Sequence, residues 1–259
     1  MALRFDVITL FPELFGPFTE AGVARRAFES GQIVLRLWNP RDWAEGNYRR
    51  VDDRPFGGGP GMVMMAEPLA RCLQAIRMDR ADGPGETAPV VLFSPIGERL
   101  NHAAVERWAA GEGAILVCGR YEGIDQRFID AHVDAQVSLG DFVLSGGEIA
   151  ALALLDAVAR LQPGVLHDEG SHQADSFNPA VDGLLDCPHY TRPEEWAGRR
   201  VPAALLSGHH AQIERWRREQ RLLLTARQRP ELIAAARAAG LISQLDDAVL
   251  ARAAADGPP

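Results

Sequence analysis

Lysine does not occur in this 259-residue chain, so all 27 basic residues are arginine. A Walker lysine, a Schiff-base lysine and a pyridoxal-phosphate anchor are thereby excluded, since each requires a primary amine. Cysteine is scarce as well. Cys72, Cys118 and Cys187 are odd in number and far apart, which argues against a disulfide framework or a zinc knuckle and for three small buried hydrophobes. Long apolar runs are missing too, because even the most apolar stretch, Ile149–Leu161, contains Asp156 and Arg160; no membrane span is expected. The N-terminus lacks the basic, apolar and cleavage regions of a signal peptide, so a cytoplasmic protein is expected. His209 and His210 are adjacent and would diverge on a helix, so no metal-ligand set is read from the histidines.

A net charge of −8 by itself disfavours nucleic acid. Its distribution does not. Between Gly183 and Pro230 nine arginines face five acids, a local +4 that leaves −12 for the remainder. An acidic body with a basic C-terminal module can hold RNA at one place.

The most informative stretch is 114–148, AILVCGRYEGIDQRFIDAHVDAQVSLGDFVLSGGE. Ala114–Cys118 and Val133–Leu139 read as buried strands, each running into a glycine. The loops that follow carry Gly119, Gly123, Gly140, Gly146 and Gly147, leaving bare backbone that can approach a flat ligand closely, with Tyr121 and Phe142 adding apolar area. Ser145 and Glu148 stand at capping-box spacing before an expected helix over 149–161.

Elsewhere, Phe5–Leu10, Ile33–Trp38 and Val90–Phe93 read as strands, with helices after Pro12, over 67–78 and over 102–110. That alternation favours a parallel sheet covered on both faces. Residues 39–61 contain Arg49, Arg50, Arg54 and three consecutive glycines without periodicity, which suggests a substrate-contacting loop. Residues 80–87 read as a dispensable polar loop. Residues 163–182 read as a mobile linker containing Asp168, Glu169 and Asp175, and 183–259 as a helical domain. In its helix over 209–224, Ile213, Trp216 and Leu223 are expected to face inward, with Arg215 and Arg218 outward.

The words LVCGRYEGID (116–125), SLGDFVLSGGE (138–148) and DGLLDCPHYTRP (182–193) closely resemble the bacterial tRNA (guanine-N1)-methyltransferases. The resemblance runs from FDVITLFPELF at 5–15 to RQRPEL at 227–232 and includes VDDRPFGGGPGM at 51–62. It implies an α/β fold with a parallel sheet, helices on both faces and a trefoil knot from about Phe93 to Leu161 (the SPOUT type). It also implies a small all-α C-terminal domain. By the same resemblance, residues 1–162 form the catalytic domain, 163–182 the linker and 183–259 the RNA-binding domain. The implied reaction is methyl transfer from S-adenosylmethionine to N1 of the guanine 3′ of the anticodon (position 37) in tRNA, by a homodimer whose active site lies at the subunit interface.

Carried over residue by residue, the resemblance assigns the cofactor pocket to Phe93, Ser94, Pro95, Gly119, Tyr121, Gly123, Leu139, Gly140, Asp141, Phe142, Val143, Leu144, Gly146 and Gly147. Guanine N1 holds a proton, so a base must remove it and a cation must steady the charge that spreads to O6. The matching residues are Asp175 as base and Arg160 as the O6 partner. Without the resemblance, nothing separates Asp175 from Asp168 and Glu169, and Arg160 reads as a helix C-terminal cation answering the dipole. Glu122 serves the cofactor, the guanine or a Mg²⁺ ion. Arg215, Arg218, His189 and Tyr190 are the RNA-contact candidates. This chain departs from the family at Asn178–Val181, where about three extra residues separate Asp175 from Asp182. The alternative from another class is a non-catalytic RNA-binding protein on the same scaffold. A nicotinamide oxidoreductase is disfavoured, because Pro12-Glu13-Leu14-Phe15 stands where a G-x-G-x-x-G loop belongs.

Overall fold

The computed structural model describes residues 2–81, 87–167 and 172–255. The chain divides into two compact units, Met1–His167 and Asp168–Pro259. Asp168, Glu169, most of the expected loop over 80–87 and the expected frayed end at 256–259 lie outside the described residues.

In the first unit, β1 (Leu3–Ile8), β2 (Ile33–Trp38), β5 (Val90–Arg99), β6 (Gly113–Val117) and β7 (Ala135–Ser138) form one sheet in the order β2-β1-β6-β5-β7, every pair parallel. Side-chain alternation along the strands feeds two cores. Leu3, Phe5, Val7, Ala114 and Leu116 pack on one face with Ala151, Leu154, Leu155 and Val158 of α6 (Glu148–Arg160). Ile8, Ile115, Val117 and Leu92 pack on the other with Leu69, Leu73 and Ile76 of α3 (Ala66–Arg80) and Phe128 of α5 (Gln126–His132). A fully buried Leu or Val contributes about 1.5–3 kcal/mol, so these two layers drive folding of the unit.

Several elements differ from the sequence reading. The helix expected after Pro12 is a short 3₁₀ turn (Pro12–Leu14) followed by α1 (Gly16–Glu20) and α2 (Arg25–Glu29). Helix α5 was not anticipated. Its seven residues are too few to show a period, although Asp125 caps it by accepting the amide of Arg127 at 2.9 Å. Strand β5 does not end at Phe93. Its pairing with β7 jumps from Phe93↔Val137 to Glu98↔Val137, so Ser94–Gly97 leave the ladder and the strand resumes beyond them. Arg80 closes α3 and is fully buried, so it is no part of a dispensable loop. Its guanidinium Nε lies 2.6 Å from the buried Asp6 carboxylate, which also accepts from Arg4 at 3.0 Å and from the Trp38 indole at 2.7 Å.

The second unit contains α7 (Ala203–Leu206), α8 (His210–Gln228), α9 (Pro230–Ala238) and α10 (Gln244–Ala255). Its apolar core is small, centred on Leu184, Leu222, Ile233 and Ala236. The expectation of an all-α unit needs correction, because β8 (Glu195–Trp196) and β9 (Arg199–Arg200) form an antiparallel ribbon. Ala197 and Gly198 both take positive φ, 51° and 75°, the pair of values that closes a two-residue hairpin and that helix propensity does not signal. The Asn178–Val181 stretch, read above as an extension, is locally ordered by hydrogen bonds. Pro179–Val181 makes a 3₁₀ turn capped by Asn178, whose Oδ1 accepts the Ala180 amide at 2.8 Å and whose Nδ2 donates to His172 O at 3.0 Å.

Candidate active site

Strands β6 and β7 end beside the place where Ser94–Gly97 leave the β5–β7 ladder, and these segments line a cavity of about 370 Å³. The Phe93-Ser94-Pro95 segment displaced from the β5–β7 ladder forms one part of its lining. Gly119, Tyr121 and Gly123 after β6 form another, and Leu139, Gly140, Phe142, Val143, Leu144, Gly146 and Gly147 after β7 a third. Asp141 is the exception among the residues expected there: it is exposed and ion-paired with Arg99 at 2.8 Å. Phe142 and Leu144 line the cavity while remaining partly exposed.

Local hydrogen bonds explain the loop shapes. The 119–125 segment is fastened to a small ribbon, β3 (Asp52–Asp53) against β4 (Val63–Met64). Glu122 N donates to Met62 O at 3.0 Å, Met64 N to Gly123 O at 2.9 Å and Asp125 N to Met64 O at 2.9 Å. Tyr121 takes φ +61°, unusual for an aromatic residue. Its phenol is pushed above its ordinary value by burial and by Asp52, against an opposing pull from Arg41. After β7, Phe142 N donates to Gly140 O at 2.9 Å and Gly140 N to Ser138 Oγ at 3.1 Å, making a tight turn.

Glu122 also lines the cavity, and its carboxylate packs where a side chain on Gly61 would sit. The arginine- and glycine-rich loop at 54–61 therefore meets the cavity through Glu122. Tyr48 and Phe56 of the same region are almost fully exposed.

The expected capping box is absent. The N-cap of α6 is Gly147, with no side-chain cap hydrogen bond. Glu148 turns inward instead and is 1% exposed. Its Oε1 accepts from Thr9 Oγ1 at 2.9 Å and Arg120 Nε at 3.1 Å, and its Oε2 lies 2.9 Å from Arg120 Nη2. A contact in which both partners are charged outweighs a cap in which the carboxylate meets a neutral backbone N–H. Arg120, a cavity-lining residue that the sequence reading left out, also stacks over Phe11, 4.3 Å from the ring centre.

Arg160 is not in the cavity lining. It ends α6, twelve residues and roughly 18 Å of helical rise from Glu148. Asp175 lies in the second unit, its amide bonded to His172 O and its carbonyl accepting from Asn178 N, both at 3.3 Å.

The RNA-contact candidates separate into two kinds. Arg215 is exposed beside Glu219, His189 is exposed and 2.8 Å from Asp186, and Tyr190 stands edge-on to Trp216 at 6.1 Å. Arg218 requires correction: it faces inward, 2.6 Å from Asp182 and 3.1 Å from Asp246. The buried residues of α8 are Leu222 and Thr225, so its most buried face runs 218, 222, 225, while Ile213, Trp216 and Leu223, expected to face inward, are half-buried. Two buried-side carboxylates draw the guanidinium in while its aliphatic stem covers apolar surface.

All three cysteines are buried, and burial pushes the Cys72 thiol up to about 12. Among the described residues no group of three or more His, Cys, Asp or Glu side chains is placed to hold a metal ion.

A parallel α/β sheet with a glycine-framed cavity outside its strand ends is the architecture of a protein that seats a small ligand there. Comparison with known proteins narrows that class. Residues 3–235 match the family described as tRNA (Guanine-1)-methyltransferase TrmD. The tRNA (guanine-N(1)-)-methyltransferase of Paracidovorax citrulli is 74% identical over 250 residues, covering 96% of this chain and 98% of that protein. Its counterpart in Polaromonas sp. is 74% identical, covering 96% of both chains, and that of Bordetella pertussis is 57% identical, covering 98% and 99%. The chain belongs to the tRNA (Guanine-1)-methyltransferase TrmD family and is a methyltransferase.

Proposed function

We propose that the protein transfers a methyl group from S-adenosylmethionine to N1 of the guanine 3′ of the anticodon (position 37) in tRNA. The observation that carries this reading is the cavity: its volume suits a folded nucleoside with a short tail, and its wall includes five glycines whose backbone N–H and C=O groups can read an adenine edge. When bound, S-adenosylmethionine supplies a methyl already activated on a sulfonium. The chain must then hold the guanine, exclude water and manage one proton. In this reading the Asp175 carboxylate takes the N1 proton, Arg160 steadies the charge on O6, and Glu122 orients the cofactor or the guanine. No step is assigned to Mg²⁺.

The reading includes a homodimer in the cytoplasm, with a knot between about Phe93 and Leu161. Two observations support a second copy. Arg160 stands at the end of α6 outside the cavity lining, which favours a partner's copy serving each site. Ile96, Phe142, Val143 and Ile149, at or near the cavity, expose large apolar surface of the kind that subunits cover. The knot is supported by the way the chain after β7 returns to the loop after β6, where Arg120 and Gly146 pair. Arg215, His189 and Tyr190 are the proposed RNA contacts of the second unit.

The test is Asp175→Asn beside wild type, assayed for labelled methyl incorporation into tRNA transcripts carrying guanine or adenine 3′ of the anticodon. We expect at least a 100-fold fall in turnover and labelling of the guanine transcript only. Unchanged turnover would remove the base assignment, and equal labelling of both transcripts would remove the specificity.

A further inference from the structure

We infer that Glu148 is a positioning residue: a buried carboxylate that braces the two glycine loops of the cavity at the spacing the methyl donor needs, through Arg120 and Thr9. This rests on the cofactor reading given above.

The loops at 119–123 and 139–147 come from different strands and approach closely at one place. Gly147 N donates to Gly119 O at 3.0 Å, and Arg120 pairs with Gly146. The approach depends on missing side chains: a Cβ on Gly147 would lie 2.7 Å from Cys118 Cα, and one on Gly146 would meet the Arg120 guanidinium. Backbone that thin has little stiffness of its own, and the cluster beneath it supplies the rest. Arg120 Nη1 donates to Ser145 O at 3.3 Å, tying its own loop to the other. Glu148 holds that guanidinium by Nε and Nη2 and is itself held by Thr9, at the C-terminal edge of β1. Three strand ends are thus cross-linked through one side chain.

The chemistry of the cluster is that of a strut. Glu148 is 1% exposed, and its Oε2, although 2.9 Å from Arg120 Nη2, lies at an angle that makes no hydrogen bond. A carboxylate in apolar surroundings with an incompletely satisfied oxygen is costly, and folding alone would be served as well by a buried Leu or Met. Keeping a charge there makes sense if it fixes the guanidinium, which it hydrogen-bonds at Nε and attracts at Nη2 by charge, while Nη1 donates to Ser145 O. Glu148 itself is absent from the cavity lining whereas Arg120 is present, so its effect on the ligand passes through Arg120.

The experiment compares wild type, Glu148→Gln, Glu148→Asp and Thr9→Val. S-adenosylhomocysteine binding is measured by calorimetry, thermal unfolding separately, and amide hydrogen exchange over 119–123 and 139–147. We expect Glu148→Gln to raise Kd at least tenfold and to speed exchange in both loops, without a comparable rise in KM for tRNA. Glu148→Asp should recover part of the affinity, and Thr9→Val should raise Kd about threefold. A merely structural role would lower Tm but leave the Kd of the folded protein and the exchange of the loops unchanged, and that result overturns the inference. Should Glu148→Gln fail to fold, Thr9→Val decides: wild-type Kd and exchange overturn the inference. No binding by wild type overturns the cofactor reading itself, and this inference with it.

Discussion

Helices α6 and α8 are each the central helix of their unit, and they are buried by different means. Helix α6 presents Ala151, Leu154, Leu155 and Val158, all fully buried, to the sheet. Helix α8 offers only Leu222 and Thr225 as fully buried residues and completes its inner face with arginines, Arg218 on Asp182 and Asp246 and Arg221 on Asp186. The first unit is held by area removed from water, which is non-directional. The second is held substantially by directional ion pairs around a small core. Directional contacts tolerate little displacement, so the second unit gains a defined surface at lower stability per residue.

The contrast is broken inside the first unit by two buried charge clusters, Glu148–Arg120 and the more deeply buried Asp6–Arg80. Asp6 and Arg80 are both fully buried, and removing the carboxylate would take the opposite charge from a guanidinium in the core, although Arg4 O still accepts from it at 2.8 Å. Asp6→Ala should therefore destabilise the first unit by about 3–5 kcal/mol in urea denaturation, the largest single-site effect expected here. A loss under 1 kcal/mol would mean that water reaches the site and that the unit is apolar in practice as well as in pattern.

On α8 the same operation should cost less. Arg218 keeps 26% of its side chain exposed, so Arg218→Ala is expected to cost about 2–3 kcal/mol, and Arg218→Met, which keeps the stem, somewhat less. Equal stability of Arg218→Met and wild type would show that stem packing, and not charge, holds α8.

That difference also explains what could be read in advance. Strand β6 and helix α6 were legible to within a residue, because continuous apolar runs ending at glycine leave few alternatives. The deepest face of α8 is not legible, since counting apolar residues cannot see an arginine drawn inward by Asp246, 28 residues further along. Glu148 was misjudged for the same reason: capping spacing is local, while Thr9 is 139 residues away. The glycines framing the cavity were legible as bare backbone, whereas Arg120 was not, its role being set by a distant acid. Asp175 and Arg160 were distinguishable only through family resemblance, since each has an ordinary local explanation.

Titration of Asp246 sharpens the comparison further. Burial alone would raise this carboxyl, but hydrogen bonds from Arg218 and from the Ser243 amide and hydroxyl, with the Arg218 charge, hold it at about 2. An unfolded aspartate titrates near 3.9. A depressed folded pKa contributes stability that is complete above the unfolded value and drains away as pH falls from about 4 to about 2. At 11% side-chain exposure the contribution is about 2 kcal/mol. Asp186 and Asp125 are also held below the ordinary aspartate value, so wild type alone would not isolate it. The useful quantity is the stability gap between wild type and Asp246→Asn, followed by denaturant unfolding of the second unit at pH 6, 4, 3 and 2.5. Asparagine still accepts from Ser243 but offers Arg218 no charge, so the gap should be widest at pH 6 and close toward pH 2. A gap independent of pH would assign the contact to hydrogen-bond geometry alone, and α8 would then differ from α6 in shape more than in electrostatics.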